Sequence, residues 1–154
     1  MIFLLFHIGT DRYAVEIRHV EQVLPQVKLK TIPQAAPGVA GVFNYHGAAV
    51  PVVDLNLMAL GRPAQESLST RLVVVHYPSA DGTPKLLGML AERATETARL
   101  EPKDFQATGV SSTGAPYLGP VINDGRGVIQ WVEIGPLLSE EVRQCLWVQA
   151  GEAL

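Results

Sequence analysis

The sequence predicts a mainly β protein made of two small β-barrels that pack together around one shared hydrophobic core. Short β-prone apolar runs recur along the chain, and turn-forming residues separate them. The run Phe3–His7 matches Leu72–His76, and the run Pro51–Leu55 matches Gln130–Ile134, with the same order of neighbouring elements. Helical periodicity is limited to three short segments. A duplicated unit explains this even spread of strands better than one open sheet does.

The first predicted elements are a hairpin, a short helix and a strand. Residues 3–8 and 12–15 predict an opening β-hairpin, because turn-forming residues lie between these two β-prone runs. From Glu16 to Leu24 apolar side chains recur every three or four residues, which predicts an amphipathic helix that ends at Pro25. Apolar and polar residues then alternate from Val27 to Thr31, as they do in a half-buried strand.

The stretch Gly38–Gly61 predicts a second hairpin followed by a short helix. Two β-rich runs flank His46 and Gly47, which are expected to form the turn. Pro51 lies in the second run, and because proline cannot donate to a sheet, this strand is expected at an edge or a bulge. Asp54 is expected to cap the helix at its N-terminus, and the final glycine is expected to end it.

The second half repeats the pattern of strands and ends in a helix. Arg71–Tyr77 is a nearly continuous apolar run, which predicts a strand buried on both faces, and Lys85–Leu90 is expected to return beside it. The composition of Gly109–Ala115 predicts a mobile loop. The turn Asn123–Gly127 is the strongest hairpin signal in the chain. The last helix is expected over Ser139–Trp147, with the serine as its N-cap.

Composition and charge exclude several classes of function. A chain of 154 residues predicts one domain with a substantial core. The net charge of −3, with scattered basic residues, argues against nucleic acid binding. The single cysteine predicts no internal disulfide, which suits a cytoplasmic protein. The apolar start is interpreted as the first strand, and no apolar run reaches the roughly 18 residues needed for membrane insertion.

Patterns that carry chemistry are largely missing from the sequence. The four histidines do not have the close spacing of a metal site, and no phosphate-binding glycine loop is present, so no metal or cofactor is expected. Cys145 is interpreted as a small buried hydrophobic residue rather than a nucleophile. Asp54 and His46 leave one alternative open, a small enzyme or ligand-binding barrel that uses both side chains.

Several motifs, taken together, resemble the CheW family of chemotaxis coupling proteins. The hairpin carries most of the resemblance, through Gly41-Val42, Asn44–Gly47, Pro51-Val52 and Asp54-Leu55. Further matches occur along nearly the whole chain. The resemblance implies a single domain, 1–154, of two SH3-like five-stranded barrels around a shared core. The first subdomain is expected at about 12–65 and the second at about 70–136, with terminal segments crossing between them.

The resemblance also implies a non-enzymatic adaptor in bacterial signal transduction. Its expected partners are the cytoplasmic tip of a methyl-accepting receptor and the regulatory domain of a histidine kinase, at membrane receptor arrays. On the receptor side, the family pattern implies four contact residues: Val20, Gln22, Asn44 and His46. On the kinase side it implies Leu29 and Ile32, which we expect to be partly exposed or near a contact.

Two residues depart from the family pattern on the receptor side. His46 stands where the family usually has arginine, and Gln22 stands where it usually has glutamate. Arginine is a permanent five-donor cation, whereas histidine is smaller and titrates near neutral pH. The departures therefore predict a dedicated receptor system rather than general swimming chemotaxis. The alternative, in which His46 is only a turn residue with a solvated ring, stays open.

Overall fold

The structure is a computed structural model, and it describes residues 1–79, 81–108 and 114–154. The described strands are β1 Ile2–Ile8, β2 Asp11–Glu16, β3 Val20–Pro25, β4 Val39–Tyr45, β5 Ala48–Asp54, β6 Arg71–Tyr77, β7 Lys85–Arg99, β8 Leu118–Asn123 and β9 Val128–Val132. The α-helices are α1 Leu55–Leu60 and α2 Glu140–Ala153, and short 3-10 helices occur at Ile17–His19, Pro102–Asp104 and Gly135–Leu137. The loop expected at Gly109–Ala115 falls mostly outside the described residues.

The long strand β7 joins two groups of strands. Its first part, residues 85–91, pairs with β6, and its second part, residues 92–99, pairs with β1. The β6 group consists of β3, β4, β5, β6 and the first part of β7. The β1 group consists of β1, β2, β8, β9 and the second part of β7. The mainly β fold class is confirmed, although β7 joins the strands into one nine-stranded sheet rather than two separate closed barrels.

The two groups have the same internal arrangement. β1 and β2 pair antiparallel, as do β6 and β7, while β9 joins β2 in parallel and β5 joins β7 in parallel. An isolated bridge extends the pairing in each group, Lys30 with Val42 and Gln106 with Val121. This agreement supports the duplication inferred from the matching sequence runs. The subdomain limits of about 12–65 and 70–136 stay a prediction. Strand pairing places β1 and β2 with β8 and β9, and it places β3, β4 and β5 with β6.

A shared core lies between the groups, and each group also has a smaller core of its own. Successive side chains on a strand point to opposite faces. On β1, Phe3 and Leu5 therefore join the core of the β1 group, whereas Leu4 and Phe6 join the shared core. The matching residues of β6 divide in the same way, with Leu72 and Val74 in the core of the β6 group and Val73 and Val75 in the shared core.

The amphipathic helix expected from Glu16 to Leu24 is wrong. Only Ile17–His19 is helical, and residues 20–25 form β3. The physical reason is tertiary, because β3 finds an antiparallel partner in the apolar strand β6, and such pairing overrides a weak local period. The strand expected at Val27–Thr31 is reduced to the single bridge at Lys30.

Both expected helix caps are confirmed. Asp54 accepts backbone hydrogen bonds at the start of α1, and Gly61 ends that helix with a left-handed φ of 74°. Ser139 caps α2, which continues to Ala153 instead of ending at Trp147. Cys145 is exposed on α2, so its expected burial is wrong. Among the described residues, no helix is both long and apolar enough to cross a membrane.

Candidate functional site

The turn between β4 and β5 holds His46 on the surface. His46 and Gly47 both have positive φ angles, 51° and 89°, as the two-residue type I′ hairpin turn requires. The Asn44 side chain accepts a 2.9 Å hydrogen bond from the Gly47 backbone N–H, which closes the turn. The His46 ring packs edge-on against Tyr45, with 4.4 Å between ring centroids. The hairpin therefore fixes both the position and the tilt of an exposed imidazole.

A tyrosine connects this hairpin to β3. The Tyr45 hydroxyl donates a 2.6 Å hydrogen bond to Oε1 of Gln22, so Gln22 lies beside the turn that carries Asn44 and His46. Burial raises the pKa of Tyr45, and the nearby Glu21 carboxylate raises it further. Val20 is half-buried on the same strand, opposite Val75 of β6. The structure thus brings Gln22, Asn44 and His46 together, with Val20 two residues along β3.

Two further residues belong to this surface, and sequence reasoning missed both. His76 Nε2 lies 3.1 Å from Oε1 of Glu21, and Oε2 of Glu21 lies 3.4 Å from the Tyr45 hydroxyl. The sequence placed Glu21 on a helix, and it identified His76 only as the end of the matching run Leu72–His76. A β-bulge, which leaves no clear signature in the sequence, is what brings Glu21 to this position.

A cleft of about 460 Å³ lies between the two strand groups. Its lining includes Glu16, His19 and His76, together with Trp131 and Glu133. Glu16 is buried and forms ion pairs with Arg18 and, at 3.3 Å, with His19. None of the four residues expected on the receptor side lines this cleft, and the contact between His76 and Glu21 links it to their surface.

The two residues expected on the kinase side have different environments. Leu29 is half-buried and packs against the core of the β6 group. Ile32 is only 4% exposed and belongs to the shared core, so it is not partly exposed, and its expected place near a kinase contact stays a prediction. Strand pairing stops after Lys30, and the Ala35 backbone N–H bonds to the Ile32 carbonyl. That turn directs the isoleucine side chain into the core.

Asp54 is committed to backbone hydrogen bonds. Its Oδ1 accepts from the N–H groups of Asn56 and Leu57 at 3.0 and 3.1 Å, and its Oδ2 accepts from Ala64 at 2.9 Å. Asp54 is only 3% exposed, so these backbone hydrogen bonds are formed away from solvent. Cavities of about 530, 460 and 370 Å³ occur in the described part of the chain, and neither Asp54 nor His46 lines any of them.

Metal binding finds no support in the geometry either. Across residues 1–79, 81–108 and 114–154, no group of three or more His, Cys, Asp or Glu side chains is placed to hold a metal ion. The arrangement instead offers a hairpin surface of fixed polar and aromatic side chains. Such a surface is suited to binding another protein.

Comparisons with known proteins agree with the motifs in the hairpin. The family model described as "CheW-like domain" matches residues 3–142. The chemotaxis protein CheW of Helicobacter pylori is 26% identical over 67% of this chain, and the match spans 59% of that relative's length. The CheW of Thermotoga maritima is 26% identical over 89% of this chain and 87% of its own.

One solved structure has the same fold. The scaffolding protein TtCheW of Thermoanaerobacter tengcongensis superposes with a TM-score of 0.77, covering 90% of this chain and 87% of that one. The two sequences are 17% identical, so this likeness concerns the fold.

Proposed function

This chain belongs to the CheW-like domain family, and from that premise we propose that it is a non-enzymatic adaptor that couples a methyl-accepting receptor to a histidine kinase. The observation that carries the proposal is the family match over residues 3–142, which includes both strand groups and the start of α2. The rival, an enzyme that uses His46 and Asp54, is not favoured because the Asp54 carboxylate is occupied by three backbone donors. The adaptor is expected in the cytoplasm, at receptor arrays.

On the receptor side, we propose that Val20, Gln22, Asn44 and His46 form one contact surface. Support comes from the Tyr45 hydrogen bond, which holds Gln22 next to the hairpin turn. His46→Arg combined with Gln22→Glu restores the family's usual pair and is expected to shift preference toward a conventional chemotaxis receptor. Unaltered preference in the double variant would leave His46 as a turn residue.

On the kinase side, we propose that Leu29 contributes an apolar contact to the kinase regulatory domain. The support is its partial exposure beside the core of the β6 group, together with Val27, which is 40% exposed. The Ile32 side chain does not reach solvent, so we expect it to support this surface by packing in the core rather than by contacting the kinase. Substitutions of Leu29 are therefore the informative ones for kinase affinity.

The test of the adaptor function is reconstitution with the receptor and kinase encoded beside this chain. Autophosphorylation of the kinase is measured with receptor-containing membranes, with and without the purified protein. We expect receptor control of the kinase to require this chain, and we expect the chain to bind each partner separately. Normal receptor control without the chain, or absence of binding to both partners, would refute the proposal.

A further inference from the structure

An irregularity in β3 re-aims a charged side chain on the proposed receptor surface. Val20 pairs with Val75 of β6, and Gln22 pairs with the adjacent Val74, so Glu21 is an extra residue without an opposite partner. In a regular strand Glu21 and Gln22 would point to opposite faces, but a β-bulge turns neighbouring side chains toward one side. Both side chains approach the Tyr45 hydroxyl, at 3.4 and 2.6 Å. The bulge therefore adds a carboxylate to the face that carries Gln22.

This carboxylate is only partly satisfied within the chain. A tyrosine hydroxyl has one proton to donate, and the 2.6 Å distance assigns that proton to Gln22 rather than to Glu21. Oε1 of Glu21 has His76 Nε2 at 3.1 Å, while Oε2 has no comparably close donor among the described residues. A carboxylate has about four acceptor sites on its two oxygens. Glu21 thus retains acceptor capacity, in contrast to Asp54 with its three backbone donors.

Glu21 is also accessible to a partner protein. Its side chain is 39% exposed, and that of His76 is 41% exposed. Among the described residues, the ion pairs of Glu21 involve His76 and no lysine or arginine. The imidazole contacts only Oε1, so in the described part of the chain Oε2 has no lysine or arginine partner. The face is therefore complementary to a positively charged side chain that can use both carboxylate oxygens.

We propose that Glu21 is a specificity-determining residue of this surface and that it binds a lysine or arginine side chain on the receptor tip. This inference rests on the proposed adaptor function and deepens its receptor side. Tyr45 and Gln22 hold each other beside the carboxylate, and His76 occupies one of its oxygens in the unbound protein. The incoming cation adds to the imidazole contact or displaces it.

The first test measures binding of the full chain to the purified cytoplasmic fragment of the receptor encoded beside it. Glu21→Gln is expected to weaken binding about fivefold and Glu21→Lys about tenfold or more, the range for partly exposed charge pairs. Wild-type affinity should also fall more steeply with salt than that of Glu21→Gln. The matched control is Glu101→Lys, the same charge change at an exposed glutamate just before the 3-10 helix Pro102–Asp104, which should leave affinity unchanged.

The second test identifies the partner charge. Each lysine and arginine at the tip of the receptor fragment is changed to glutamate in turn, and one such change is expected to restore binding to Glu21→Lys. His76→Leu separates recognition from a purely structural role, because leucine has no donor for the internal contact with Glu21, and the variant is expected to keep or increase affinity. Thermal unfolding of every variant shows whether the fold is intact.

These experiments distinguish failure of the proposed Glu21 role from failure of the proposed adaptor function. If the wild-type chain binds the receptor fragment and Glu21→Lys binds equally well, the role of Glu21 is refuted while the adaptor function stands. Failure of every receptor substitution to restore binding, or a loss in His76→Leu equal to that in Glu21→Gln, refutes the proposal that Glu21 binds a basic receptor side chain. If the wild-type chain itself does not bind, the proposed function and this inference fall together.

Discussion

The ion pair between Arg12 and Asp124 provides a quantitative prediction about stability. Arg12 lies on β2, and Asp124 lies in the turn between β8 and β9. Nη1 and Nη2 of Arg12 donate to the two Asp124 carboxylate oxygens at 2.9 and 2.5 Å. Nη2 also donates to the Gly127 carbonyl at 3.2 Å. The fork of hydrogen bonds thus ties the hairpin to β2, beside the parallel pairing of β2 with β9. We expect Asp124→Asn to destabilise the protein.

The size of the effect follows from the pKa of the carboxyl group. The Arg12 hydrogen bond lowers the pKa of Asp124 from 3.8 to about 2. That difference corresponds to an upper limit of about 2.4 kcal/mol. Water still reaches the pair, whose side chains are 15% and 18% exposed, and solvent screening reduces the effect. We therefore expect Asp124→Asn to lower the free energy of unfolding at pH 7 by about 1 kcal/mol, or to lower the Tm by about 3 °C.

The pH dependence gives the sign of the effect. Because the folded-state pKa of Asp124 is depressed, its contribution is complete above about pH 4 and is lost as the pH falls toward about 2. Urea unfolding from pH 7 to pH 2 should show the difference between wild type and Asp124→Asn shrinking toward zero. Asp11→Asn, at an exposed position of β2, is the control. A difference independent of pH, or no coupling in a double-mutant cycle with Arg12→Gln, would refute the reasoning.

Three further predictions concern particular side chains. Ile32→Asp places a charge in the core, so circular dichroism should show a mostly unfolded protein, and a folded variant would contradict the burial of Ile32. Leu29→Asp, in contrast, should fold normally and bind the kinase more weakly. Asp54→Ala should lower the free energy of unfolding by about 1–3 kcal/mol, and Asp54→Asn should lower it by less, because the amide oxygen still accepts hydrogen bonds. Equal losses for the two variants in urea titrations would argue against the capping role. Gly41→Ala should cost about 1–3 kcal/mol, because its Cβ would lie 2.5 Å from the Lys30 carbonyl, and an unchanged Tm would show that this bridge tolerates movement.

The repeat and the helix caps could be predicted from the sequence because both depend on local chemistry. The β-prone run 3–7 and its match at 72–76 occupy equivalent strands, and Asp54 and Ser139 cap the helices that follow them. The path of β3 depended instead on β6, which is distant in sequence. A pattern of apolar residues at spacings of three and four does not reveal such a partner.

Part of the candidate site could be predicted from local sequence and part from the family pattern. The turn at His46 and its neighbour Asn44 follows from hairpin chemistry, and the proximity of Gln22 followed from the family pattern. Glu21 could not be found, because its direction depends on one extra residue in a strand that was predicted to be a helix. The burial of Ile32 escaped prediction because an alternating run was continued past the point where pairing ends.

The grouping of strands around β7 has a consequence for how the chain can be cut. The first repeat, β1 to β5, contributes its opening hairpin to one group and its last three strands to the other, and the second repeat does the reverse. Each half of the chain therefore keeps its own hairpins but lacks the strands that join them, so neither fragment severed in segment 61–68 should fold when expressed separately. Mixed together, the two fragments should reassemble into the native protein, and they should do so slowly because the pairing that joins the two halves is distant in sequence.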